Sequence, residues 1–202
     1  GRAYTDYRKM YDQEDLDAVY ICVPPFAHGD PEILAAERGL ALFVEKPIAT
    51  TAEKAEEIRS AIAGRRVINS VGYHWRYMDA AERAKKLIGR RRGGFALGSW
   101  IGGMPGAAWW RAMAQSGGQI VEQTTHIFDL ARYLLGEVAE VLAFGRTGLL
   151  SEVPNYDVHD ASVANLRFKS GTIASLASSC MVNAGGKVGL ELYIKEKVLR
   201  IS

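Results

Sequence analysis

The stretch Ala41-Leu42-Phe43-Val44-Glu45-Lys46-Pro47 decides how the first half of this 202-residue chain is interpreted. Its four apolar residues are typical of a buried parallel strand. Proline ends such a strand because it has no N–H to donate to a neighbouring strand. Glu45 and Lys46 therefore lie at the carboxyl end of a strand, which is where open α/β sheets bind their ligands. A surface ion pair at a strand end is the alternative interpretation.

The residues around this strand alternate between strand and helix patterns. Apolar runs over 17–23 and 67–71 predict two more strands, and the segments 31–38, 51–62 and 79–88 predict helices, the first capped by Asp30 and ended by Gly39. Short connections between such elements imply right-handed crossovers and a parallel sheet. The residues that follow the strands then gather at one sheet edge; they are Val23, Pro24, Pro25, His28, Glu45, Lys46, Tyr73, His74, Trp75 and Arg76.

The second half has a different pattern, with successive strands and few helices. The predicted strands are 95–101, 138–147, 161–168, 172–180 and 188–194. The turn Lys169-Ser170-Gly171 between two of them indicates a hairpin. The fold class is therefore α/β followed by α+β with a mainly antiparallel, open sheet. We expect an α/β domain over residues 1–92 and an α+β domain over 93–202.

One predicted helix, 119–135, carries chemically useful side chains. Its apolar residues fill one half of the helical wheel, while Glu122, His126 and Asp129 fall on the other side with Tyr133. Carboxylates four residues before and three after a histidine can orient the imidazole and raise its basicity. A histidine that only satisfies its neighbours is one alternative. A Glu-x-x-x-His metal site is another, but no third ligand is evident, so we expect no metal.

Composition excludes several classes of function. A net charge of +2, with 24% charged residues, gives no electrostatic reason to expect a nucleic acid or membrane partner. The basic segment 85–92 is typical of a solvated helix end. No apolar stretch is long enough to cross a membrane, and the N-terminus does not resemble a signal peptide. Cys22 and Cys180 lie in apolar runs and are expected to be buried thiols, which suits a cytoplasmic location.

These elements together resemble the Gfo/Idh/MocA-type oxidoreductases, which include glucose–fructose oxidoreductase and inositol dehydrogenase. The resemblance rests on five segments in the family's order, namely 17–25 with His28, Glu45-Lys46-Pro47, Gly72 to Tyr77, Trp110-Arg111, and Gly117 to Gly136. It implies an enzyme that uses NAD or NADP, with a Rossmann-type domain followed by an open-sheet domain. Such an enzyme moves hydride between the nicotinamide and a hydroxyl-bearing carbon, usually of a sugar or cyclitol.

The resemblance also implies roles for individual residues. The family lysine matches Lys46 and the family histidine matches His126, while Glu122 stands where many members have aspartate. Imidazole is a suitable base for an alcohol proton at neutral pH, and an ammonium stabilises developing alkoxide charge. The implied cofactor-binding residues are Val23, Pro24, Pro25, His28, Glu45, Lys46, His74 and Trp75. The implied substrate-binding residues are Trp110, Arg111 and Asp129, with ordinary packing and a surface ion pair as the alternatives for the first two.

The dinucleotide fingerprint G-x-G-x-x-G does not occur in the 202 residues. The family carries it in its first strand–helix unit, so we expect a fragment that lacks the first half of the dinucleotide-binding domain, ends inside a sheet and by itself binds NAD(P) weakly. A homo-oligomer formed through the open sheet is also expected. A catalytically silent relative, acting as a binding or assembly subunit, is the alternative function.

Overall fold

The computed structural model describes residues 1–89 and 93–202. Contacts between residues divide the chain into two compact units, Gly1–Gly72 and Tyr73–Ser202. The domain boundary predicted near residue 92 falls outside the described residues and stays a prediction. The same applies to Arg90, Arg91 and Arg92 of the predicted basic helix end. No helix within the described ranges has both the length and the apolar character needed to span a bilayer.

The first unit is an α/β layer with a three-stranded parallel sheet in the order β1-β2-β3, as the sequence predicts. Alternate side chains of β1 and β2 are buried against α2, which contributes two fully buried alanines, Ala35 and Ala36. The elements are α1 (Tyr7–Gln13), β1 (Ala18–Ile21), α2 (Asp30–Glu37), β2 (Ala41–Val44), α3 (Ala52–Arg65) and β3 (Asn69–Val71).

Two details of this unit differ from the prediction. Helix α2 begins at Asp30, and Gly29 is its N-cap with φ of 130°, a conformation that glycine adopts without steric cost. The carboxylate of Glu32 accepts the Gly29 N–H at 2.7 Å, which supplies the cap that Asp30 was expected to provide. Cys22 is exposed rather than buried, because it continues the alternation of β1, in which Ala18 and Tyr20 are exposed and Val19 and Ile21 are buried.

The second unit contains a six-stranded sheet in the order β5-β6-β7-β4-β8-β9. Only the β4–β7 pair among these neighbours is parallel, and the predicted hairpin joins β6 to β7. The elements are α4 (Asp79–Ile88), β4 (Gly93–Ile101), α5 (Met113–Ser116), α6 (Gly118–Glu122), α7 (Thr125–Leu135), β5 (Val138–Arg146), β6 (Ala161–Phe168), β7 (Ile173–Ser179), β8 (Lys187–Ile194) and β9 (Lys197–Ile201).

Helix α4 has the predicted bounds but packs against the six-stranded sheet of the second unit, which the sequence did not indicate. We expected it to continue the strand–helix alternation of the first half. Instead Ala81, Ala84 and Ile88 join the core under the six-stranded sheet, beside Leu130 and Leu134 of α7. The small alanines allow the two helices to approach each other closely, so packing decides which unit this helix belongs to.

Helix α7 approaches the sheet closely at Gly98 of β4. A Cβ atom at this glycine would lie 2.6 Å from Cγ2 of Ile127 and 2.6 Å from Cδ2 of Leu176. Both distances are far below van der Waals contact, and both neighbours are buried. The absence of a side chain at residue 98 therefore lets the first turn of α7, which contains Ile127, lie directly against the sheet.

We expect Gly98→Ala to destabilise the protein, because the added methyl group must displace buried side chains. Overpacking of this kind costs about 1–3 kcal/mol in the free energy of unfolding. Urea denaturation followed by circular dichroism measures the change. Gly102→Ala is the control, since a Cβ at Gly102 meets nothing within 4 Å. Equal midpoints for the two variants would contradict the close approach.

Candidate functional site

The helix predicted over 119–135 is interrupted, and the structure forms two helices. Helix α6 ends at Glu122 and α7 begins at Thr125. The N–H of Thr124 donates to the carbonyl of Gln119 at 2.8 Å, five residues back, and its buried hydroxyl lies 2.7 Å from the Ser178 hydroxyl of β7. This bond to the sheet accompanies the break. The argument that Glu122 and His126 share one helix face is therefore wrong.

His126 lies in the first turn of α7 and is almost completely buried, with 4% of its surface exposed. Four rings surround its imidazole, and we call them the aromatic enclosure; they are Tyr73, His74, Trp75 and Trp100. The planes of Trp75 and Trp100 lie 24° and 25° from the imidazole plane, and the ring centroid of His74 is 4.8 Å away. His126 is thus enclosed largely by aromatic rings.

Two side-chain contacts hold the segment 73–76 against α7. The hydroxyls of Tyr73 and Thr125 are 3.0 Å apart. The guanidinium of Arg76 donates to both carboxylate oxygens of Asp129, with a distance of 2.7 Å from Nε to Oδ2. Asp129 is only 6% exposed, and this pairing is the main cause that raises the pKa of Arg76. Substrate binding by Asp129 stays a prediction; the structure pairs its carboxylate with Arg76, which the sequence analysis did not foresee.

Burial controls the protonation of the tyrosine in this group. Desolvation raises the pKa of the Tyr73 phenol above its usual value of 10.0, and it outweighs the opposite effect of the hydrogen bond to Thr125. The Tyr73 hydroxyl therefore stays protonated at neutral pH.

Trp110 and Glu122, two residues predicted for the site, contact each other. The indole Nε1 of Trp110 donates to Oε2 of Glu122 at 3.1 Å, and the Trp110 side chain is fully buried beside Val158 and Cys180. A buried tryptophan usually finds a partner for its N–H, and here that partner is the candidate catalytic carboxylate. The 3₁₀ turn Ala108–Arg111 contains Trp110 and ends at the neighbouring Arg111, whose Nε is buried.

We expect Glu122→Gln to retain more activity than removal of His126 and to change the pH–rate profile. Glutamine keeps an oxygen that can accept the Trp110 N–H but lacks the negative charge. A carboxylate that acts on the base favours the charged imidazole, so its loss should move the acidic limb of the kcat profile to lower pH. Initial rates measured between pH 5 and 10 provide the test. An unchanged profile would show that the carboxylate does not tune the base.

The remaining candidates lie in the first unit, at the carboxyl ends of β1 and β2. The Lys46 N–H donates to Oε2 of Glu45 at 2.9 Å, and the Lys46–Pro47 peptide is cis. A Cβ at Gly72, directly after β3, would lie 2.8 Å from Oε1 of Glu45, so glycine makes room for this carboxylate. Glu45 and Lys46 thus occupy the predicted sheet edge.

His28 belongs to the same edge and is buried. Its Nδ1 lies 2.5 Å from Oε1 of Glu32, and both side chains are fully inaccessible to solvent. Its other ring nitrogen, Nε2, is buried without a hydrogen-bond partner among the described residues. Pro24 precedes the 3₁₀ turn Pro25–Ala27 that leads to His28. Over residues 1–89 and 93–202, no group of three His, Cys, Asp or Glu side chains is arranged to hold a metal ion.

Two family models match the chain and together cover most of it. Residues 1–73 match the model described as an oxidoreductase family with an NAD-binding Rossmann fold. Residues 83–200 match the GFO/IDH/MocA C-terminal domain. The two matches follow each other in the order that the sequence motifs predict.

Individual relatives agree with the family models. The chain is 28% identical to levoglucosan dehydrogenase of Pseudarthrobacter phenanthrenivorans, over 87% of this chain and 52% of that protein. It is 30% identical to scyllo-inositol 2-dehydrogenase (NAD(+)) of Bacillus subtilis, over 86% of this chain and 52% of that protein. A levoglucosan dehydrogenase structure in complex with NADH and levoglucosan superimposes with a TM-score of 0.88 at 26% identity, over 98% of this chain and 57% of that chain.

The chain spans about half the length of the curated relatives it matches. The family model for the C-terminal domain alone covers more than half of the chain, and the fold agrees with that of the solved relative. The chain belongs to the GFO/IDH/MocA family.

Proposed function

We propose that the protein transfers hydride between a nicotinamide cofactor, NAD or NADP, and a CH–OH group of a sugar, cyclitol or related polyol. The buried His126 within its aromatic enclosure is the observation that carries this proposal. The names of the relatives support the substrate class, because they act on an anhydrosugar and on inositols. The family model of residues 1–73 supports the cofactor.

The residues of the first unit suit a dinucleotide. His28 Nε2 is a buried polar atom with no partner among the described residues, at the strand ends where open α/β sheets bind nucleotides. A phosphate or ribose oxygen would satisfy it. We assign Val23, Pro24, Pro25, His28 and Glu45 to cofactor binding. His74 and Trp75 keep the cofactor-binding role that the family resemblance implies. The nicotinamide, when bound, supplies the hydride acceptor or donor.

The chemistry of the protein side chains follows from their types. During alcohol oxidation, His126 accepts the O–H proton while hydride leaves the carbon. The Lys46 ammonium stabilises the negative charge that develops on the alcohol oxygen. Glu122, held by Trp110, adjusts the charge on the base. Arg111 and Asp129 are assigned to the substrate with Trp110, within a domain for substrate binding and oligomerisation that we place at 93–202.

The activity is tested by incubating the whole protein with NAD⁺ or NADP⁺ and a panel of cyclitols, anhydrosugars and aldoses. We expect nucleotide reduction, seen as absorbance at about 340 nm, with one nucleotide and one structural class of polyol. The His126→Ala variant from the same preparation provides the background. Binding of a nucleotide without reduction by any polyol would favour the catalytically silent relative instead.

We also propose that a second copy of this chain covers the open face of the sheet. In the strand register, Leu142, Asn165, Ser175 and Leu97 form one row across four strands. The next row is Val141, Leu166, Ala174 and Ala96 and belongs to the other face, where Leu166, Ala174 and Ala96 join the core with α7. The first row belongs to the uncovered face, where several large apolar side chains are exposed. These are Leu142, Phe144, Ile173, Phe95 and Leu97, with 59%, 63%, 51%, 37% and 38% of their surface accessible.

We expect the double variant Leu142→Glu/Phe144→Glu to dissociate this oligomer, because buried charges are costly in an apolar interface. The matched control is Val141→Glu/Ala143→Glu, which adds the same charges to the opposite face of β5. Sedimentation velocity compares the two with the wild type. A monomeric wild type, or equal dissociation by both variants, would contradict the proposed surface.

Location and other partners follow from simpler properties. We propose a cytoplasmic protein, since its two cysteines are free thiols and one of them is exposed. The small net charge of +2 supports a small-molecule substrate rather than a nucleic acid or a membrane surface.

A further inference from the structure

Residues 147–160 connect β5 to β6, and we call them the β5–β6 connection. They are distant in sequence from Trp110, yet Val158 of this connection packs with Trp110 in one core cluster, and both side chains are fully buried. On the basis of the proposed function, we propose that the β5–β6 connection sets which polyol the protein binds. Asp157 is the positioning residue through which it acts, because Asp157 holds the turn that contains Trp110 and Arg111.

Two hydrogen bonds join Asp157 to the junction between the 3₁₀ turn Ala108–Arg111 and helix α5. The Asp157 N–H donates to the carbonyl of Arg111 at 3.1 Å, and its Oδ1 accepts the N–H of Met113 at 2.5 Å. Arg111 ends the turn, Met113 begins the helix, and Ala112 joins them in an extended conformation. Asp157 therefore holds both sides of an extended link, so the turn cannot change its direction relative to α5 without losing one of these bonds.

The β5–β6 connection is itself tied to the sheet on both sides of Asp157. Asp160 is fully buried, its Oδ2 accepts the N–H of Leu149 at 2.8 Å, and its carbonyl accepts the N–H of Cys180 at 3.2 Å. The hydroxyl of Tyr156 lies 3.2 Å from Sγ of the same cysteine, which follows β7. The backbone that carries Asp157 is therefore held in place, and so is the carboxylate that accepts from α5.

The turn carries side-chain groups that are assigned to the substrate. Nε of Arg111 is buried and has no hydrogen-bond partner among residues 1–89 and 93–202. A buried N–H without a partner is costly, and a polyol hydroxyl oxygen that accepts from it removes this cost. The direction of this N–H depends on the turn, whereas the base His126 belongs to α7. We therefore expect a displaced turn to weaken polyol binding and to leave the hydride step largely intact.

The test uses Asp157→Ala in the whole protein, with the panel of cyclitols, anhydrosugars and aldoses. We expect KM for the preferred polyol to rise about tenfold, because the bond to the Met113 N–H is lost. The kcat and the KM of the nucleotide should stay within about twofold of the wild type. The ratio of kcat/KM between polyols should change as well, since the turn no longer fixes the groups that discriminate among them.

Two further variants serve as controls. Asp157→Asn keeps an oxygen that accepts the Met113 N–H, so its KM should stay within about threefold of the wild type, although the bond loses its charge. Glu152→Ala removes another exposed carboxylate from the β5–β6 connection and should leave kcat, KM and polyol preference unchanged. Rescue by asparagine separates the accepted hydrogen bond from the negative charge of Asp157.

Several results would overturn the proposal. Wild-type KM and polyol preference in Asp157→Ala is one, and a fall in kcat at unchanged KM is another. An asparagine variant as impaired as the alanine variant would also exclude positioning through the hydrogen bond.

The NMR signal of the Trp110 indole N–H, which donates to Glu122, reports on the turn without turnover. It should move in Asp157→Ala and stay in place in Asp157→Asn and Glu152→Ala. An unmoved signal in the alanine variant would show that Asp157 does not hold the turn, and this would overturn the proposal. Absence of polyol oxidation by the wild type would instead count against the proposed function, so the two failures are distinguishable.

Discussion

His126→Ala is expected to remove nearly all oxidoreductase activity of the whole protein. A positioned general base contributes about 10²–10⁴-fold to the rate, and the buried ring has no equivalent substitute in the enclosure once it is removed. The ring of His74 contacts that of His126, but the His74 side chain is exposed to solvent. The loss should appear in kcat, measured under saturating nucleotide and polyol, because binding of the nucleotide does not require the base.

Controls for this variant separate chemistry from folding. His126→Asn keeps a polar side chain of similar size and should lose activity to a similar degree while unfolding at the wild-type urea midpoint. His159→Ala removes an exposed histidine of the same unit and should retain full activity. Activity of His126→Asn within a few-fold of the wild type would remove His126 from the catalytic role.

Lys46→Met is expected to lower kcat about a hundredfold, because loss of one charge stabiliser in a water-excluded site costs about 3 kcal/mol of transition-state stabilisation. Methionine has nearly the length of the lysine stem, so packing at the end of β2 is retained. The affinity for the nucleotide should change modestly. Stopped-flow reduction of the nucleotide measures the hydride step, and fluorescence titration measures the Kd of the nucleotide.

The matched control is Lys9→Met, which removes an exposed ammonium from α1 of the same unit. It should leave both the rate and the Kd unchanged. If Lys46→Met instead raised only the Kd of the nucleotide and left the hydride step intact, Lys46 would serve binding and not catalysis. Wild-type turnover in the variant would remove it from the site altogether.

The interrupted helix shows where sequence patterns stop being sufficient. The apolar period over 119–135 continues across the break, although α7 buries its apolar side whereas α6 buries Gly118 and Gln119. What accompanies the break is the bond between Thr124 and Ser178, residues that are 54 positions apart. No local pattern contains that contact.

The same distinction applies to the partners of the candidate residues. Glu122, His126 and Asp129 were found from the sequence, but the geometry assumed for them was that of a single helix. In the structure, Trp110 donates a hydrogen bond to Glu122 and Arg76 donates to Asp129. Four aromatic rings surround His126. Trp110 and Arg76 were visible as motif residues, yet nothing in their spacing indicated which carboxylate each would bind.

The amino-acid sequence by itself determined the strand and helix order, the change from a parallel to a mainly antiparallel sheet, the family and the candidates Lys46 and His126. These depend on hydrophobic periodicity, turn residues and motif order, which act within a few residues of the chain. Only the tertiary structure showed that α4 packs with α7, that the missing side chain of Gly98 lets α7 pack closely on the sheet, and that the ring of His74 contacts that of His126. Those features depend on close packing between distant segments, and a difference of one methyl group decides whether such packing is possible.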